Sequence, residues 1–167
     1  MRLSPLQLQK LVFTRIKVEA AKAFEEITLK DDATNFDFQG VTLTTNLACG
    51  HAQGQEKNPR DFLVKLGIIL NNKQGKPAPY LVDIEAAGYL IVSEVIPKDD
   101  RSDIALVNGA SLLYGAIREL VSHLTARSPL GLCQLPTMNF ADHARSKKPT
   151  SQPATSKKAA AKGKREK

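Results

Sequence analysis

The apolar positions of residues 103–127, DIALVNGASLLYGAIRELVSHLTAR, fall at helical intervals on more than one face. Ala110, Leu113, Ile117, Leu120 and Leu124 recur at spacings of 3, 4, 3 and 4, and Val107, Tyr114 and Val121 form a second row alongside. Polar side chains are concentrated on a narrow line, Asn108, Ser111, Arg118, Ser122 and Thr125. A single sheet packed on one side would leave much apolar area in water, at about 25 cal/mol per Å². The pattern therefore predicts a second covering surface, hence self-association.

Upstream the period shortens to that of strands. LQLQKLVFTRIKV (6–18) is strand-like, but its apolar phase moves from Leu6 and Leu8 to Leu11 and Phe13, then to Ile16 and Val18. Such slips predict bulges in a long, bent strand. An irregular connection over 23–37 leads to a second strand region over 38–54, marked by Phe38, Val41, Leu43 and Leu47. The runs 61–72 and 80–96, joined by the turn signal KQGKPAP, should pair as a hairpin. Asp99, Asp100 and Ser102 are available as helix caps, and Asp103 suits the positive end of the helix dipole. Pro129, Gly131 and Pro136 stop the helix, with a short second helix expected over 137–144. Four strands followed by helices is an α+β order.

At 167 residues the chain is of single-domain size, able to form a core without metal or disulfide help. Cys49 and Cys133 have no close paired spacing and the N-terminus has no secretory leader, so free buried thiols and a soluble, cytoplasmic protein are expected. The net charge of +7 divides unevenly. Nine basic residues and Glu166 give residues 145–167 a net +8, leaving 15 basic and 16 acidic residues, net −1, in 1–144. The expected domain is therefore 1–144. The Lys/Ala/Pro-rich tail over 145–167 has no apolar face and is expected to be disordered. It is either a solubilising extension or a contact for anionic lipid, RNA or an acidic partner. Without interleaved aromatics, sequence-specific base recognition is not expected.

No catalytic constellation is legible, so the chain is expected not to be an enzyme and to need no cofactor. Ser111 follows Gly109 as in a nucleophile elbow, but it lacks the second glycine and lies inside the helical pattern. Cys49 and His51 form a C-x-H pair without near third and fourth ligands, and no metal site is expected. Gly40, Gly50 and Gly54 make no phosphate-binding pattern.

Several motifs in order resemble the SecB family of protein-export chaperones. LQLQKLVFTRIKVE (6–19) is similar to the family's first strand, and REL (118–120) with Arg127 to its long helix. LPTM followed by Asn139 and Phe140 is similar to the motif between its helices, and the runs over 61–96 fit in order and length. The resemblance covers most of residues 6–142. It implies a four-stranded antiparallel sheet with helices on one face, assembled as a dimer of dimers. The helices would form the homotetramer seam, here through Leu113, Ile117, Leu120 and Leu124.

The implied activity is that of an ATP-independent holdase that binds unfolded precursor polypeptides and passes them to the SecA motor of the export machinery. By position, Phe36, Phe38, Val41 and Leu43 match the segment lining the family's client groove, with Phe140 as neighbour; the plainer alternative is ordinary core. The family's SecA-docking pattern maps to Glu19, Leu81 and Asp83, but Arg15 stands where the family carries another carboxylate. A like charge facing the partner weakens docking. Some SecB-like proteins instead guard the antitoxin of a toxin–antitoxin pair, and both readings stay open on the sequence.

Overall fold

A computed structural model describes residues 3–28 and 30–144; the expectation for the basic tail lies outside the described residues. Among the described residues the strands are β1 (Leu6–Ala20), β2 (Thr44–His51), β3 (Asp61–Leu70) and β4 (Tyr80–Val92), followed by one α-helix, α1 (Lys98–Thr125). All pairings are antiparallel and the sheet order is β1-β4-β3-β2, so β3 and β4 form the expected central hairpin.

The phase slips in β1 are bulges. Its register against β4 shifts between Leu8 and Lys10 and again between Phe13 and Arg15. Each shift inserts one extra residue, so Leu6, Leu8, Leu11, Phe13, Ile16 and Val18 all oppose β4 residues of a single face, from Val92 down to Val82. The same face carries Phe62, Val64, Leu66, Ile68 and Leu70 of β3, all buried.

Helix α1 lies on that face, and two glycines set how closely. A Cβ on Gly109 would stand 2.9 Å from Val64 Cγ2, and one on Gly88 of β4 would stand 3.1 Å from Leu113 Cδ2. The absence of side chains at both positions lets the helix backbone sink toward the centre of the sheet. Ala105, Ala110, Leu113, Ile117 and Val121 are thereby sealed. A fully buried side chain such as Leu113 contributes roughly 1.5–3 kcal/mol by its removal from water.

Several expectations are corrected. The helix starts at Lys98 with Pro97 in the capping position and no side-chain cap; Asp99 and Asp100 sit in its first turn, where their charge suits the dipole. Its entry is held instead by Arg101. This buried guanidinium donates to the carbonyls of Glu94, Ile96 and Pro59 and to Asn58 Oδ1, tying the turn before α1 to the loop before β3. No second helix forms over 137–144, only a 3-10 turn at Ala141–His143. The second strand is shorter than 38–54, since Val41 makes an isolated bridge to Gly75 and regular pairing begins at Thr44.

The assembly residues divide. Leu113 and Ile117 are fully buried against the chain's own sheet and present nothing to a partner. Leu120 packs partly on the same core, whereas Leu124 and the unanticipated Leu112 are each 44% exposed. Of the second row, Tyr114 and Val121 are buried and Val107 packs partly on the same core, so the chain itself covers most of both rows.

Leu113→Ala should therefore cost about 2–5 kcal/mol of stability in urea unfolding, and Leu112→Ala less than about 1 kcal/mol. Equal losses would show that the helix is rotated from this orientation.

Candidate functional site

The connection between β1 and β2 must carry the chain from one edge of the sheet to the other, and it does so past the β3–β4 hairpin turn. Three contacts fasten it there. Ala21 N–H donates to Pro79 O (2.8 Å), Lys76 N–H to Gly40 O (2.7 Å), and Lys76 Nζ to Asp37 O (2.7 Å). Gly75 is in the left-handed region at φ +74°, which lets the turn approach Gly40 closely.

Short carboxylate-centred turns stiffen the connection. Asp31 accepts from Lys22 Nζ (2.6 Å) and from the backbone and hydroxyl of Thr28 (both 3.0 Å), which holds its carboxyl down from 3.8 to about 2. Asp32 accepts twice from Thr34, and Asp37 accepts from the Gln39 N–H; both carboxyls are lowered by those donors.

Between these turns Phe36 and Phe38 pack edge to face with centroids 5.0 Å apart, and the Lys76 ammonium stands 4.7 Å from the Phe36 centroid. Both rings are half-buried. Phe36 lines a cavity of about 360 Å³ whose apolar walls include Pro77, Ala78, Pro79 and Leu130, with Lys22, Lys30 and Asp31 among its polar lining. The cavity is large enough for one or two apolar side chains, and it opens among groups that can satisfy backbone.

Its remaining wall is the chain that follows α1. Residues 128–140 lack regular structure, so their backbone groups need side-chain partners. Tyr80 Oη donates to Gly131 O (2.8 Å), Arg118 Nε to Leu135 O (2.7 Å) and Tyr114 Oη to Pro136 O, while Thr125 Oγ1 accepts from Cys133 N–H (2.8 Å). Burial pushes the Tyr114 phenol up to about 12 and the Cys133 thiol up to about 11, so both stay neutral. Ala33 N–H donates to Leu130 O (2.7 Å), which joins this strap to the β1–β2 connection.

The polar line read on the helix is thus partly an anchoring line. Thr125 is fully buried and Arg118 and Ser122 are half-buried. Its signal in the sequence was a helix polar row too narrow to be a solvated face.

Of the five residues matched to the family's client groove, Phe36 lines the cavity and Phe38 supports it. Val41 and Leu43 are half-buried, pack against the core and do not line the cavity. Phe140 is corrected: it is buried at 2% exposure, 5.7 Å from the Tyr114 ring, and is a core plug.

Glu19, Leu81 and Asp83 share the opposite face of the sheet, as Glu19↔Leu81 and Lys17↔Asp83 are cross-strand pairs. Arg15 faces Glu85 there. Its Nε lies 2.8 Å from Asp83 and its Nη2 3.8 Å from Glu85, while Lys17 lies 3.1 Å from Glu19. Every carboxylate of that patch is therefore paired within the chain.

No protein-family model matches the chain, and no curated protein matches it in sequence. Its structure is similar to that of a SecB-like chaperone of Mycobacterium tuberculosis in complex with a ChAD peptide from the HigA1 antitoxin. The TM-score is 0.50 at 18% identity, over 80% of this chain and 90% of that one. A protein of unknown function from Streptococcus agalactiae gives a TM-score of 0.44 at 7% identity, over 79% of this chain and 97% of that one. The first likeness establishes a SecB-like fold.

Because the Asp31 carboxyl is depressed, the stability it supplies is present above its unfolded value near 3.8 and is lost as pH falls through about 2. Carboxyl NMR should find an Asp31 midpoint close to 2 that returns toward 3.8 in Lys22→Ala; an unshifted Asp31 would mean the turn is not held as described.

Proposed function

We propose that the protein is an ATP-independent holdase that binds extended, unfolded polypeptide at the cavity under Phe36, needing no cofactor and working in the cytoplasm. The observation that carries this reading is the half-buried Phe36–Phe38 pair at the mouth of an apolar cavity set between two irregular, hydrogen-bonded straps. Such a site takes apolar side chains from a chain that has not buried them, and preferential binding of that state holds folding back by mass action. The structural likeness to a chaperone that holds an antitoxin peptide supports the same reading.

A dedicated client of antitoxin type is favoured over delivery to SecA. The patch on the far sheet face has its carboxylates engaged by Arg15 and Lys17, so little negative potential is left to steer a partner. Assembly belongs to the proposal too. A cleft of about 770 Å³ between the start of β1 and α1 is lined by Leu6, Leu8, Ile104 and Leu112, which moves the homotetramer seam outward from Leu113 and Ile117. Sedimentation reads this directly, and a monomer at working concentration would remove it.

Phe36→Ser with Phe38→Ser should weaken binding of a fluorescent unfolded peptide by about tenfold or more, ~1.4 kcal/mol, and abolish suppression of aggregation. Wild-type holding by that variant would exclude the site. Arg15→Glu removes the internal partner of Asp83 and Glu85 and should raise affinity for SecA in a pull-down titration. If wild type already binds SecA tightly and the variant adds nothing, the preference for a dedicated client is wrong.

A further inference from the structure

The sheet face opposite α1 has two chemically different halves. One is the ion-paired patch of Arg15, Lys17, Glu19, Asp83 and Glu85. In the other, cross-strand pairing aligns Lys10, Tyr89 and Leu63 in one row and Val12, Ala87 and Lys65 in the next. Tyr89 is 48% exposed, Val12, Leu63 and the adjacent Ile91 are half-buried, and the small Ala87 is buried among its neighbours at 4%, so the strip is apolar with Tyr89 as its exposed centre.

Lys10 and Lys65 bracket this strip, and neither has a carboxylate within 4 Å among the described residues. The nearby carboxylates are engaged elsewhere. Asp61 accepts from Gln55 Nε2, Glu94 pairs with Arg60 at 2.6 Å, and Glu85 accepts from Thr14 as well as facing Arg15.

We propose that this half of the face is a docking surface for an acidic polypeptide segment with large apolar side chains, distinct from the client cavity. The apolar side chains would cover Tyr89 and Leu63, and flanking carboxylates would reach Lys10 and Lys65. Two strands apart and two residues apart along β4, the two lysine Cα atoms are about 12 Å from each other, which an extended segment spans in about four residues. A polypeptide is favoured over single-stranded nucleic acid because Tyr89 is the one ring in these rows and successive bases would find no platform. Two unscreened cations around an apolar centre fit carboxylates flanking an apolar anchor, and oppose a basic partner.

The test uses the full chain and a fluorescein-labelled peptide with a Glu-Leu-Tyr-Leu-Glu core, read by anisotropy at low and moderate salt. Wild type should bind it with salt sensitivity, and Lys10→Glu with Lys65→Glu should weaken it by at least about tenfold. The reversed variant should gain binding of the Lys-Leu-Tyr-Leu-Lys counterpart. Tyr89→Ser should weaken the acidic peptide, and Phe36→Ser should leave its salt-sensitive binding unchanged. All substituted side chains except Phe36 are on the open sheet face, so unfolding midpoints should stay at the wild-type value.

Undiminished binding by the reversed variant would place the peptide on the basic tail or in the cavity and overturn the proposal. So would loss of binding in Phe36→Ser, or poly(U) RNA binding that falls with the same reversal while the peptide does not bind.

Discussion

The depth to which α1 sinks into the sheet governs the rest of this molecule. Gly109 and Gly88 are the notches that permit it, because Val64 and Leu113 occupy the space where their Cβ atoms would lie. A helix seated that deeply at the centre covers β3 and β4 and cannot also cover both flanks. On the β2 side the gap is closed by the strap after α1, with Phe140 filling the space beside Tyr114. On the β1 side it stays open, and Leu8, Ile16 and Leu112 remain in solvent. The same packing buries most of both apolar rows of the helix and leaves Leu112 and Leu124 exposed.

The cavity under Phe36 is a by-product of irregular chain that has to be paid for in hydrogen bonds. Neither the β1–β2 connection nor the strap has a ladder or helical register, yet both pack on the core, and buried backbone groups without partners cost stability. The solution is local and repeated: aspartates closing their own turns, and Tyr80, Tyr114, Arg118 and Thr125 reaching from regular elements to strap backbone. Apolar side chains from two such segments then meet at Leu130, which belongs to the buried core, and Phe36, which packs partly against it and lines the cavity.

Much of the scaffold is legible from local periodicity. The two phase slips of β1 are physical bulges at the places where the apolar sequence shifts, and the hairpin of β3 and β4 follows from two apolar runs around a Gly/Pro turn. Periodicity reports that a side chain belongs to a face, and it is silent on what covers that face. Hence the rows of the helix do not announce the strap that covers Tyr114, and the match of Phe140 as a neighbour of the groove does not show that it is enclosed beside that ring. Long-range polar partners are equally silent. Nothing near Arg15 or Arg101 in sequence announces Asp83, 68 residues away, or the carbonyls that take the buried guanidinium.

The bulges in β1 also bear on how the molecule keeps company with itself. A 15-residue edge strand rich in Leu, Val, Ile and Phe is a template on which like strands stack indefinitely. Gln9 and Thr14 break that template into runs of three, four and six residues, each shifted in register from the next. A flat strand docking from outside can match one run and not its neighbour, so growth into a fibre stalls at the first kink. The edge strand thereby carries its own protection against seeding such growth.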